Sequence, residues 1–146
     1  AGARGVDAAL EPEPGMLVET VDDYRRLKRV APGLRLALDL GHCLVTGDRE
    51  PDAALWETAP DLGTVTIEDM RRGVHEHLPF GEGDLDVFDA LRALREIGFG
   101  RLVCVELSRD SHRAHQMVPD ALESLRQVER LVIEIEANQG RPGRPD

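Results

Sequence analysis

The residues able to do chemistry fall into four groups. Glu11 and Glu13 stand in Glu11-Pro12-Glu13-Pro14-Gly15, and Asp39 and His42 in Asp39-Leu40-Gly41-His42. Glu68, Asp69, Arg71 and Arg72 precede a loop, His75-Glu76-His77-Leu78-Pro79-Phe80-Gly81-Glu82-Gly83-Asp84. Glu106 is followed by Ser108-Arg109-Asp110-Ser111-His112. Each group directly follows a short apolar run. Carboxylates at such places serve as general acids and bases or as ligands of hard cations, and imidazole does either job near neutral pH. A single acid at a strand end also serves as a helix cap. Three carboxylates on three successive strand ends would converge on one point. Converging anions repel unless a cation holds them, so a divalent metal is the economical reading. His42, three residues after Asp39, is expected in the same pocket. His75 and His77 read equally as loop histidines, and Trp56 as a packing residue.

The elements that must position these groups alternate. The apolar runs Val6–Leu10, Leu34–Leu40, Thr64–Ile67 and Leu102–Leu107 read as strands. Between and after them lie helical patterns over Val18–Val30, Ala53–Ala59, Val87–Ile97 and Pro119–Glu136. Thr20, with Asp23 three residues on, is expected to cap the first helix, and Gly98 to end the third. Strand–helix alternation with continuously apolar strands means a parallel sheet covered on both faces. The expected fold class is α/β, with four parallel βα units whose chemistry gathers at the strand carboxyl ends.

A chain of 146 residues is the size of one domain, and 28 Asp plus Glu against 18 Lys plus Arg gives a net charge of -10. That balance argues against a duplex-binding surface, which needs clustered cations, and no apolar run approaches a membrane span. No nucleic acid and no membrane are expected as partners. Cys43 and Cys104, each inside an apolar run, read as buried thiols in a reducing, cytoplasmic setting. The chain begins at Ala1 and its first Met is Met16, where the pattern is already under way, so an interior piece of a longer protein is expected.

Glu11 in ALEPEPG, Asp39 and His42 in ALDLGHC, the stretch TVTIEDM, the loop HEHLPFGEGDLD and Glu106 in VCVEL together resemble the xylose isomerase-like TIM barrels. The likeness is to the sugar phosphate isomerase/epimerase group, relatives of tagatose/psicose 3-epimerases and, remotely, of endonuclease IV. It covers about residues 5–130. It implies an eight-unit (βα) barrel of about 250 residues, of which residues 1–137 are the carboxyl-terminal half, a partial TIM barrel, and residues 138–146 a disordered tail. The resemblance assigns Glu11, Asp39 and Glu106 as metal ligands, with His77 a candidate addition. It makes Glu11 and Glu106 the catalytic acid/base pair, and His42 and Arg72 substrate contacts. The cofactor is a divalent cation (Mn, Mg, Co or Zn) and the substrate a sugar or polyol, epimerised through an enediolate. Thr66 departs from the pattern: it stands where the family carries a histidine ligand. Two other readings follow. One is a non-catalytic half-barrel that associates with another chain or with itself, covering large apolar side chains on its inward face. The other is a phosphoesterase of the endonuclease IV type.

Overall fold

The computed structural model describes residues 5–139 and places them in a four-stranded, wholly parallel sheet of order β1-β2-β3-β4. The strands are β1 (Ala8–Leu10), β2 (Leu34–Asp39), β3 (Leu62–Ile67) and β4 (Val103–Val105). The helices are α1 (Val21–Lys28), α2 (Leu40–Thr46), α3 (Pro51–Thr58), α4 (Val87–Glu96) and α5 (Ala114–Gln139). The four expected strands and four expected helices are present. Short α2 is an addition, because seven residues starting directly at a strand end leave no helical periodicity to read. Asn138 and Gln139 belong to α5, which runs two residues into the expected tail. Residues 140–146 of that tail lie outside the described residues.

Local chemistry explains the boundaries. Thr20 accepts from the Asp23 N–H while the Asp23 carboxylate accepts from the Thr20 N–H, a reciprocal cap that opens α1. Asp86 caps α4, and Gly98 follows it at φ 66°, a conformation that costs glycine nothing. Pro119 sits inside α5 rather than at its start.

Alternation along the strands divides their side chains between two faces. Leu36, Leu38, Val65 and Ile67 are buried on the helix side, with Val103 and Val105 packed against them and against Tyr24, Leu55, Ala90 and Leu94. The opposite face carries Ala9, Arg35, Ala37, Asp39, Thr64, Thr66 and Cys104. That corrects the expectation of large apolar side chains on the inward face, since its residues are small or polar. Exposed apolar side chains lie on α5, at Val118, Leu122, Leu131 and Ile133, and at scattered positions such as Leu17, Val30 and Leu102. Trp56 is half exposed on α3, outside the core. Among the described residues, no helix is long and apolar enough to cross a membrane.

Candidate metal and acid/base site

The register fixes the floor of the site. Asp39 pairs with Thr66 and Thr66 with Cys104, so the three stand side by side across β2, β3 and β4. Asp39 ends β2 and caps α2: its Oδ1 accepts from the His42 N–H at 3.0 Å. The cap brings the His42 ring over the strand ends. Its Nδ1 is 3.0 Å from the Pro12 carbonyl oxygen. A carbonyl only accepts, so Nδ1 carries a proton and donates it to Pro12. The ring's Nε2 is 3.7 Å from Glu13 and 4.0 Å from Asp39 Oδ2, while Glu11 Oε1 lies 3.9 Å from the ring.

The second half of the site is held by the loop after β3. Asp69, fully buried, accepts from the N–H groups of Gly81 at 2.8 Å, Gly83 at 2.9 Å and Leu85 at 2.9 Å. A Cβ on Gly83 would lie 2.3 Å from Asp69 Oδ1 and 2.7 Å from the Met70 carbonyl oxygen, so the approach needs glycine. Anchored this way, the loop delivers His77 Nδ1 onto Glu68 Oε2 and within 3.9 Å of Glu106 Oε1. His75 meets the His42 ring edge-on, with centroids 5.0 Å apart.

Each of three groups gathers donor atoms within 4.8 Å of one another: Glu11, Asp39 and His42; Glu68, His77 and Glu106; and Glu13, His42 and His75. Burial, followed by the charge of Asp39, pushes the Glu68 carboxyl up to about 10, with Glu106 and Glu11 adding to the shift. Burial and then Asp39 likewise raise Glu11. Burial lowers His77, against the opposing pull of Glu106. Two buried oxygens, Asp39 Oδ2 and Glu68 Oε1, have no hydrogen-bond partner among the described residues.

Of the residues singled out in the sequence, Glu11, Asp39 and His42 come together, and Glu106 and His77 meet through Glu68. Arg72 is not brought in. Both its Nη atoms bind Glu50, at 2.9 and 2.7 Å, and its N–H donates to Asp84. Glu68 was noticed among the strand-end groups but was not assigned to the site. Its signal was its place two residues after Thr66, which in extended chain returns the side chain to the same face. Glu13 and His75 were noticed in the sequence but not assigned.

No curated protein matches the chain in sequence. Among solved structures, L-ribulose 3-epimerase matches 99% of the chain and 54% of its own, at 16% identity and TM-score 0.77. The 3-keto-D-glucoside 4-epimerase YcjR from E. coli matches 86% and 48%, at 27% identity and TM-score 0.68. An IOLI protein with a binding zinc atom matches 90% and 50%, at 24% identity and TM-score 0.65. The chain thus spans about half the length of these proteins. The family model described as xylose isomerase-like TIM barrel matches residues 1–128. With four parallel βα units and acids gathered at the strand carboxyl ends, the chain belongs to the xylose isomerase-like TIM barrel family.

Proposed function

We propose that this chain carries the metal-binding and proton-transfer residues of a sugar isomerase or epimerase. The observation that supports this reading is the unpaired, buried Oδ2 of Asp39 among Glu11, His42, Glu68 and Glu106. A buried carboxylate oxygen without a donor is costly, and a bound cation relieves that cost. The donor set, oxygens with imidazole, suits Mn, Mg, Co or Zn. Glu11, Asp39 and Glu106 would hold the ion with His77 beside them, and the ion when bound polarises a substrate carbonyl.

The chain's own groups do the rest. Glu11 and Glu106 stand on opposite outer strands of the sheet, each partly open to solvent. One removes the proton from the carbon next to the carbonyl and the other returns it, through an enediolate. Burial, followed by the charge of Asp39, raises Glu11 above the ordinary carboxyl value, which suits it to hold a proton between the two transfers. His42, its Nδ1 committed to Pro12, offers Nε2 to a substrate hydroxyl. Arg72 is assigned to substrate by resemblance alone, and that role requires its release from Glu50.

Hydrogen exchange tests this directly. With Mn²⁺ in D₂O, pentuloses or hexuloses should gain deuterium at the carbon beside the carbonyl, and Glu11→Gln and Glu106→Gln should each stop it. Metal bound but no exchange across the panel would reject the catalytic reading. It would favour the second, a half-barrel that pairs with another copy. For that reading speak the sheet's two outer strands, each with a single neighbour among the described residues, and the exposed apolar side chains of α5. A concentration-dependent dimer in sedimentation is its signature.

A further inference from the structure

We propose that Glu68 is the metal ligand contributed by β3 in this chain, supplying from two residues further along the strand the donor that Thr66 lacks, with His77 as its companion ligand. This rests on the metal-centre reading above. Glu68 is fully buried, and one of its oxygens, Oε1, meets no donor. Asp39, 2% exposed, likewise leaves Oδ2 without one. Glu68 and Asp39 face each other closely enough to interact directly, in one electrostatic group with Glu106 and Glu11. Folding has therefore placed two buried acids side by side, an arrangement held either by a proton between them or by a bound cation.

Geometry gives Glu68 the role. Thr66 lies between Asp39 and Cys104 in the register, where an inward imidazole would reach the ion. A neutral threonine hydroxyl is a poor replacement. Glu68 follows β3 one alternation later on the same face, and its carboxyl lies close enough to Asp39 to interact with it. The loop pinned by Asp69 sets His77 Nδ1 on Glu68 Oε2, and the donors of Glu68, His77 and Glu106 lie within 4.8 Å of one another. Exchanging imidazole for carboxylate makes the set richer in oxygen, which shifts preference toward Mn²⁺ and away from Zn²⁺.

The competing explanation is a single proton shared between Glu68 and Asp39, with no ion. Manganese titration by calorimetry and by the loss of its free-ion paramagnetic resonance signal separates the two. The chain, Glu68→Gln, Glu68→Asp, Thr66→Ala and Asp39→Asn are compared, each first checked for native circular dichroism. If Glu68 ligates, Glu68→Gln loses at least about tenfold in Mn²⁺ affinity. Glu68→Asp then also binds more weakly, while Thr66→Ala stays near the parent. Thr66→His in the Glu68→Gln background should regain affinity and bring a preference for Zn²⁺. Parental affinity in Glu68→Gln, with binding lost in Asp39→Asn, overturns the inference and leaves the metal centre standing without Glu68. A parent chain that binds no Mn²⁺ overturns both.

Discussion

The His42 N–H donates to Asp39 Oδ1 at 3.0 Å, while Asp39 Oδ2, without a partner, ends 4.0 Å from the same residue's ring nitrogen. One carboxylate therefore does two separable things. One oxygen starts α2 and orients His42; the other faces the acidic cluster. Asn also caps helices well, whereas Ala does not. Asp39→Asn should keep the chelated protein at least as stable as the parent, because a buried charge is removed and the cap survives. Asp39→Ala should cost about 1 kcal/mol through the lost cap. Both should lose divalent-ion binding. Thermal melts in chelator and in Mn²⁺ check this; equal melting temperatures for Asn and Ala in chelator would mean the cap contributes nothing.

The loop carrying His75 and His77 depends on a contact remote from any ligand. Asp69 gathers three backbone N–H groups, and Gly83 approaches it too closely for any side chain. Gly83→Ala forces the carboxylate or the Met70 carbonyl to move, which should destabilise the fold by about 1–3 kcal/mol. It should also weaken metal binding although no donor is altered. Asp69→Asn, unable to accept three bonds with a full charge, should act in the same direction. Melting and metal titration of the two variants decide it, and parental behaviour in both would show that the loop is held elsewhere.

How much of this was readable in the sequence depended on whether a residue's role was local. The cap at Thr20 and Asp23 and the stop at Gly98 are short-range devices, and their residue types give them away. The parallel sheet was legible from continuous apolar runs separated by helical spacing. Glu11, Asp39 and Glu106 were legible as strand-end acids. Glu68 was harder, because burial of an acid is set by what packs around it, here a loop nine residues later in the chain. Arg72 shows the opposite failure: Glu50, 22 residues away, claims it, and nothing local announces that pairing. The small and polar inward face followed from parity along β2 and β3, which runs of apolar letters conceal.

Arg49 ties three segments together on the helix side. It donates to Glu57 at 2.8 Å, to Asp48 at 2.6 Å and to Asp22 at 2.8 Å. Its hydrogen bonds hold the Asp22 and Glu57 carboxyls below their ordinary values. A carboxyl lowered in the folded state contributes stability above its unfolded pKa and loses it as pH falls through the folded value. The melting temperature should therefore fall on acidification from about pH 5 to about pH 3, the range just below ordinary carboxyl pKa values. Arg49→Gln should flatten part of that fall while lowering stability at neutral pH. An unchanged acid limb would mean these exposed pairs are too well screened to matter.

The two thiols should differ in reactivity. Cys43 is buried on α2, its Sγ 3.4 Å from the Asp39 carbonyl oxygen, to which it donates. Burial, and then the charge of Asp39, push its thiol up to about 12. Only the thiolate is an effective nucleophile, so at about pH 8 almost none of Cys43 is in the reactive form. Cys104 is half-buried on β4 and lines an open cavity of about 590 Å³ with Thr66 and Glu106. Both thiols are free, so no reduction step precedes the measurement. Iodoacetamide on the native chain at about pH 8 should add one carbamidomethyl group, mapped by mass spectrometry to Cys104. Denaturant should release the second, on Cys43. Labelling of Cys43 in the native chain at a rate near that of Cys104 would mean that α2 opens readily, and with it the cap that holds Asp39 and His42 in place.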